Sequence, residues 1–353
     1  MLSTQHYKHR LSDITDAILD TNRSIESLHA VLDDFASLCS EITAITPDAT
    51  FDAWADDSFL ESGVAINPQA AAFCIKDYQR SVMFIRGVDS AIDAAKKRFP
   101  AARLKILYAG CGPFATLLLP LLVKVKSREL DIYLLDIHQQ SLDSVNVLLT
   151  TLDLLDHQVT LIQGDACVYQ HDEHLHIIIA EVMQKALEQE PQVAATANLA
   201  PQLCKNGIFI PQKIEVQLCL AHWEDEKEQY NCVGFVADEA FIKYGLRYPL
   251  GTLLTLKAST VGKLMGAAVF NENSSMLEAN LATIQLPNIN AIEQYDVLML
   301  TRIQVFETCI LGDYDAEITL PHKCYEFSSL RAGSSYMASY QFGRYPRFNF
   351  TAC

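Results

Sequence analysis

The sequence predicts an α/β fold: a doubly wound parallel sheet preceded by a helical N-terminal extension and followed by a β-rich C-terminal domain. Three observations carry this reading. Between residues 104 and 210, short aliphatic runs alternate with helical stretches, the order expected of a parallel layer. Before residue 100 the apolar residues recur at three-four spacing, and beyond Pro211 the pattern turns to strand-like alternation. The corresponding division is 1–100, 101–212 and 213–353.

The elements follow in chain order. Leu11, Ile14, Ile18, Ile25, Leu28, Leu32, Phe35, Leu38 and Ile42 form one amphipathic helical stripe, interrupted mainly at Thr21. Its width suits packing on its own domain, with a homodimeric coiled coil as the alternative. Residues 45–66, rich in Asp, Pro, Ser and Gly, read as loop with a short helix around Trp54. Asn67-Pro68 reads as an N-cap with proline at the first helical position, opening a helix that carries Phe73, Ile75 and Phe84. Strands are expected at 104–109, 131–136, 159–163, 175–180 and 207–210, and helices at 114–125, 139–153 and 188–203. In the C-terminal part, 213–222, 229–236, 251–257, 295–310, 315–320 and 334–342 read as strands of a mainly antiparallel domain.

Half of the 353 residues are apolar and 20% are charged, which describes a packed globular chain rather than a disordered one. Neither a signal-peptide core nor an apolar run long enough for a bilayer is evident, the longest being Phe114 to Val123, so a soluble, cytoplasmic protein without membrane contact is expected. The ten cysteines lie singly, with Cys74, Cys111, Cys167, Cys219 and Cys309 inside apolar runs. They read as buried thiols in a reducing compartment. His174 and His176 are the closest histidine pair, and no metal-ligand spacing pattern is evident around them, so no metal site is expected. A formal charge of −16 repels polyanions and argues against nucleic acid as a partner.

The chemistry is carried by Lys105-Ile-Leu-Tyr-Ala-Gly110-Cys-Gly112-Pro-Phe114, followed by Ile132-Tyr-Leu-Leu-Asp136. Two glycines at the carboxyl end of a buried strand leave a bare backbone for close approach of a ligand. The acid closing the next strand then stands where a ribose would sit. A nucleoside-containing cofactor follows. No third glycine comes after Gly112, so the pyrophosphate cradle of dinucleotide sites is missing.

Gly110-Cys-Gly112-Pro resembles motif I of the class I S-adenosylmethionine methyltransferases, whose fold is Rossmann-like. A closer resemblance runs from about residue 70 to 225. Ile179-Ala-Glu181 followed by Glu190, then Gly207-Ile-Phe-Ile-Pro211, is similar to the double-glutamate loop and downstream strand of protein arginine methyltransferases. Lys76-Asp77 with Arg80-Ser81 is similar to that family's helix ahead of motif I.

The resemblance implies S-adenosyl-L-methionine as cofactor. It would be held by Ala109, Gly110, Cys111 and Gly112, by Asp136 and Ile137 at the ribose, by Asp165 and Ala166 at the adenine, and by Arg80 at the carboxylate, with Glu181 beside it. Glu181 and Glu190 become the catalytic pair, holding an amino or other nucleophilic acceptor that is a small molecule or a peptide. Departures from the family are Tyr108 in place of an acid, Phe114 in place of the third glycine, no tyrosine-rich helix around Phe59, and no Thr-His-Trp loop in the C-terminal half, since His222-Trp223 comes too early. Two alternatives stay open: a cyclase that turns S-adenosylmethionine into a small-ring amino acid and methylthioadenosine, and a non-catalytic cofactor-binding protein. Charge alone leaves Glu190, and Glu188 still more, compatible with solvent-facing carboxylates at a helix start.

Overall fold

The computed structural model describes residues 3–48, 58–230, 246–272, 275–327 and 330–353. The expected helix around Trp54 and residues 231–236 of the expected 229–236 strand lie outside them.

The N-terminal stripe folds as two helices, α1 (Thr4–Leu19) and α2 (Ile25–Thr43), rather than one. The break has a local cause. The Asp20 carboxylate accepts from the Asn22 N–H at 3.0 Å, and the Ser24 hydroxyl accepts from Ser27 N, so one helix ends in an Asx turn where the next is capped. Arg10 of α1 ties the pair together through Asp34 and Glu41 of α2. The pair packs on its own chain, burying Leu11, Ile18, Leu28, Leu32 and Phe35, as the width of the stripe requires.

A short antiparallel hairpin, β1 (Ser58–Leu60) and β2 (Gly63–Ala65), comes next. Asn67 caps α3 (Pro68–Phe73), its side chain accepting from Ala70 N at 3.0 Å. The expected single helix is divided at Asp77, whose φ/ψ of −78°/81° is not helical. The long helix α4 (Tyr78–Arg98) begins after it.

Five strands then form a parallel sheet: β3 (Leu104–Ala109), β4 (Leu130–Asp136), β5 (Gln158–Gln163), β6 (Leu175–Ala180) and β7 (Leu203–Ile210), in the order β5-β4-β3-β6-β7. Ala109 of central β3 stands in register with Leu135 and Ala180. The order reverses between β3 and β6, which opens a crevice at their carboxyl ends. Helix α5 (Gln139–Thr151) connects β4 to β5, and α6 (Gln192–Leu199), shorter than the expected 188–203, precedes β7.

The expected helix at 114–125 is absent. Turns lead instead into a 3-10 segment at Leu119–Val123. Pro120 removes one amide and clashes with a helical carbonyl, and Ala115 takes φ 43°. The surrounding leucines are buried nonetheless, and Thr15 of α1 donates to the Pro120 carbonyl at 2.8 Å. The N-terminal helix α1 packs against this 3-10 segment, where a crossover helix was expected.

Beyond β7 the chain is antiparallel. One sheet joins β8 (Lys213–Ala221), β9 (Tyr248–Leu256), β12 (Asp296–Phe306), β13 (Cys309–Leu311) and β14 (His322–Lys323). The other joins β10 (Ala268–Asn271), β11 (Met276–Gln285), β15 (Ser335–Gln341) and β16 (Arg347–Ala352). Helices α7 (Trp223–Tyr230) and α8 (Val261–Gly266) lie between strands. The 315–320 run is a 3-10 turn at Glu317–Thr319, because the Thr319 hydroxyl bonds both to the N–H and to the carbonyl of Ala316 and closes the backbone on itself.

Among the described residues no helix is long and apolar enough to cross a membrane, and no group of three metal-ligating side chains occurs. Nine described cysteines are free. Cys111 and Cys219 are buried as expected, whereas Cys74, Cys167 and Cys309 are only partly covered.

Candidate active site

A solvent-connected cleft lies at the carboxyl ends of β3, β4, β5 and β6. Its floor is the Gly110–Gly112 turn. Gly110 has φ 74° and Gly112 φ 62°, values that glycine adopts without strain. A Cβ on Gly110 would lie 2.4 Å from Val182 Cγ1. At Gly112 only Ala71 Cβ, at 3.6 Å, is near, so this backbone faces the cleft uncovered.

Asp136 builds the turn as well as lining it. Its carboxylate accepts from Gly112 N at 2.8 Å and from His138 N at 2.9 Å, and the side chain is nearly buried. Burial and the Asp136 charge hold the Cys111 thiol well above its ordinary range, so this cysteine stays neutral. The His138 ring then reaches Ser58 of β1, Nε2 to Oγ at 3.1 Å. The acid at the end of β4 is therefore linked through His138 to the β1–β2 hairpin.

Asp165 follows β5. One of its carboxylate oxygens accepts from Cys167 N at 2.8 Å, an Asx turn, and the residue still lines the cleft beside Ala166. Glu181 ends β6 and is ion-paired with Arg80 from the first turn of α4. Both side chains are only 12% exposed. Asp77, just ahead of Arg80, accepts from Glu317 N at 2.9 Å. Burial raises its pKa to about 6, against the pull of Arg80 and of that N–H.

Glu190 is 7% exposed and lines the cleft, so it is not a solvent-facing carboxylate at a helix start. Glu188 is not solvent-facing either. It accepts from Phe348 N at 3.1 Å and meets His322 Nε2 at 3.3 Å, toward the C-terminal sheets.

The fold thus gathers Arg80, Gly110, Cys111, Gly112, Asp136, Ile137, Asp165, Ala166, Glu181 and Glu190 around one cleft. Ala109 does not line it. That residue is fully buried in β3 and takes part through its carbonyl, which accepts from Glu181 N at 3.4 Å. Residue-level reading missed the roof, formed by Leu60, Val64, Ala65 and Ile66 of the hairpin and the residue after it. The Ser62-Gly63 pair between two apolar stretches was the available hairpin signal. It also missed Tyr108, which is buried against the cleft and whose phenol burial and Glu181 keep protonated.

Among the described residues, the charged ones facing the cleft are Asp136, Asp165, Glu181 and Glu190 against Arg80 alone. Such a cleft attracts cations and repels phosphates.

No family model matches the chain, and no curated protein matches it. Among solved structures, a chain of the Trypanosoma brucei PRMT1 enzyme-prozyme heterotetrameric complex with AdoHcy matches with 14% identity and a TM-score of 0.47. The match covers 79% of this chain and 91% of that one.

Proposed function

We propose that the chain is a class I S-adenosylmethionine-dependent methyltransferase whose acceptor is an amino group or another nucleophile held near Glu181 and Glu190. The observation that carries this reading is the charge and form of the cleft. Four carboxylates and one guanidinium surround an uncovered glycine turn at the switch point of a parallel sheet. A dinucleotide would bring its pyrophosphate against these carboxylates. S-Adenosylmethionine brings a ribose, an adenine and a cationic sulfonium.

The residues fit that molecule part by part. Asp136, already fixed by two backbone N–H groups, has lone pairs for ribose hydroxyls, and Asp165 with Ala166 would meet the adenine edge. Arg80 carries five N–H donors, enough for an amino-acid carboxylate beside Glu181. The bound cofactor supplies an electrophilic methyl group. The protein's part is alignment, exclusion of water under the hairpin, and carboxylates that hold the acceptor and take up its proton.

The test is calorimetry with S-adenosylhomocysteine together with mass spectrometry of S-adenosylmethionine incubated with the protein and a panel of amines and basic peptides. Micromolar binding is expected, at least tenfold weaker in Asp136→Ala, since a charged acceptor is worth roughly 1.5–3 kcal/mol. Glu190→Gln should retain most of that affinity and lose about a hundredfold in turnover. Absence of binding by the unaltered protein sinks the assignment, and methylthioadenosine in place of S-adenosylhomocysteine as product replaces methyl transfer by cyclisation.

A further inference from the structure

Residues 184–191, which connect β6 to α6 and carry Glu190, form a strained loop. Ala186, Leu187 and Gln189 have φ of 57°, 59° and 68°, left-handed values that cost a non-glycine residue on the order of 1 kcal/mol each. Such a conformation persists only where surrounding groups over-determine it. Those groups are visible residue by residue, and none belongs to the parallel sheet.

Ala186 N donates to Thr301 Oγ1 of β12 at 2.9 Å. The Leu187 carbonyl accepts from the Tyr340 hydroxyl of β15 at 2.6 Å. Glu188 accepts from Phe348 N of β16. Gln189 N donates to the Pro346 carbonyl at 2.8 Å, and its own carbonyl accepts from Val64 N of β2 at 2.8 Å. Four successive residues are thus each tied to strands or turns outside the parallel sheet. Glu190 follows at once, its backbone position set by the ties before it.

Tyr340 is fully buried and Thr301 nearly so. Burial and the nearby Glu188 charge keep the Tyr340 phenol protonated, so its hydroxyl remains a donor.

We propose that Tyr340 and Thr301 are positioning residues for Glu190: the C-terminal sheets hold the 186–189 loop in its left-handed form and so aim this carboxylate into the cleft. The inference rests on the methyltransferase reading, because it takes the Glu190 side of the cleft as the place where the transferred methyl and the acceptor meet. It gives the antiparallel half a part in the chemistry beyond covering the sheet.

The test uses the full chain and two ligands, S-adenosylhomocysteine and sinefungin, the analogue in which a carbon bearing an ammonium group replaces the methylated sulfur. With Glu190 aimed at that position, the unaltered protein should bind sinefungin at least fivefold more tightly than S-adenosylhomocysteine, and Glu190→Gln should abolish the preference. Tyr340→Phe, which removes one hydroxyl and keeps the ring against Phe342 and Phe348, should abolish it too while leaving S-adenosylhomocysteine affinity within twofold. Thr301→Val should behave like Tyr340→Phe, and Thr301→Ser, which keeps the hydroxyl, like the unaltered protein.

Retention of the preference in both Tyr340→Phe and Thr301→Val, with its loss in Glu190→Gln, overturns the positioning role and leaves the methyltransferase reading intact. Equal weakening of both ligands in the two variants also overturns it, because the hydroxyls then serve only stability. Failure of the unaltered protein to bind S-adenosylhomocysteine defeats the methyltransferase reading itself and the inference with it.

Discussion

Asp77 shows how one residue can be costly to the fold. Its carboxyl is drawn into a partly buried position where the Glu317 N–H and Arg80 favour the charge, yet desolvation wins and its pKa rises from 3.8 to about 6. Between those values the folded chain holds a proton that the unfolded chain has released. The associated stability is therefore full in acid and lost as pH rises through about 6. Asp77→Asn cannot titrate, so relative to the unaltered protein it should gain on the order of 2 kcal/mol between about pH 4 and about pH 7 in urea titrations. A stability difference between the two proteins that does not vary with pH would show that Asp77 titrates normally.

At the scale of elements, the β1–β2 hairpin is the roof of the cleft, and Gly63 is what lets it sit there. Its φ of 148° and the space around it both require glycine: a Cβ would lie 2.8 Å from Pro191 N and 2.9 Å from the Gln189 carbonyl oxygen, and backbone cannot swing aside. Gly63→Ala should lift the hairpin from the Glu190 loop. The expected result is a loss of roughly 1–3 kcal/mol in stability, faster proteolysis near residues 58–66, and weaker binding of S-adenosylhomocysteine, because Leu60, Val64, Ala65 and Ile66 line the cleft proposed to hold it. Unchanged proteolysis together with unchanged affinity would mean that the hairpin is not the roof of the ligand site.

Across the whole molecule, α4 is the element shared by both halves. Its first turn brings Arg80 to the cleft, while the middle of the same helix is buried against β12 and β13 as well as against the parallel sheet. A close approach occurs at Gly87, where a Cβ would stand 2.6 Å from Val305 Cγ1 and 3.6 Å from Cys309 Cβ. Gly87→Ala therefore overfills a packed interface and should cost about 1–3 kcal/mol in urea unfolding. Truncating the obstacle in the double variant Gly87→Ala/Val305→Ala should recover part of it, since residues in contact do not act additively. Simple addition of the two single effects would place the contact elsewhere.

What the sequence determined by itself is the part of this protein written in local pattern. Aliphatic runs ending in glycine or an acid mark buried parallel strands and their ligand-facing ends. β3 and β6 accordingly run as expected, and Gly110, Gly112, Asp136, Asp165, Glu181 and Glu190 meet at one cleft. The Asn67 cap was legible for the same reason, since capping involves neighbours three residues apart. Where competing local signals met, apolar content misled. Leu117 to Val123 looks helical, but Pro120 and the packing of α1 decide against a helix there. Only the tertiary structure showed that Glu188 turns to Phe348, that Gly63 and Gly87 are places of close approach, and that the strained loop bearing Glu190 is held by Tyr340, 153 residues away. A hydrogen bond across that separation leaves no periodicity in the chain. It exists because β15 of the four-stranded antiparallel sheet is folded against the loop that follows β6.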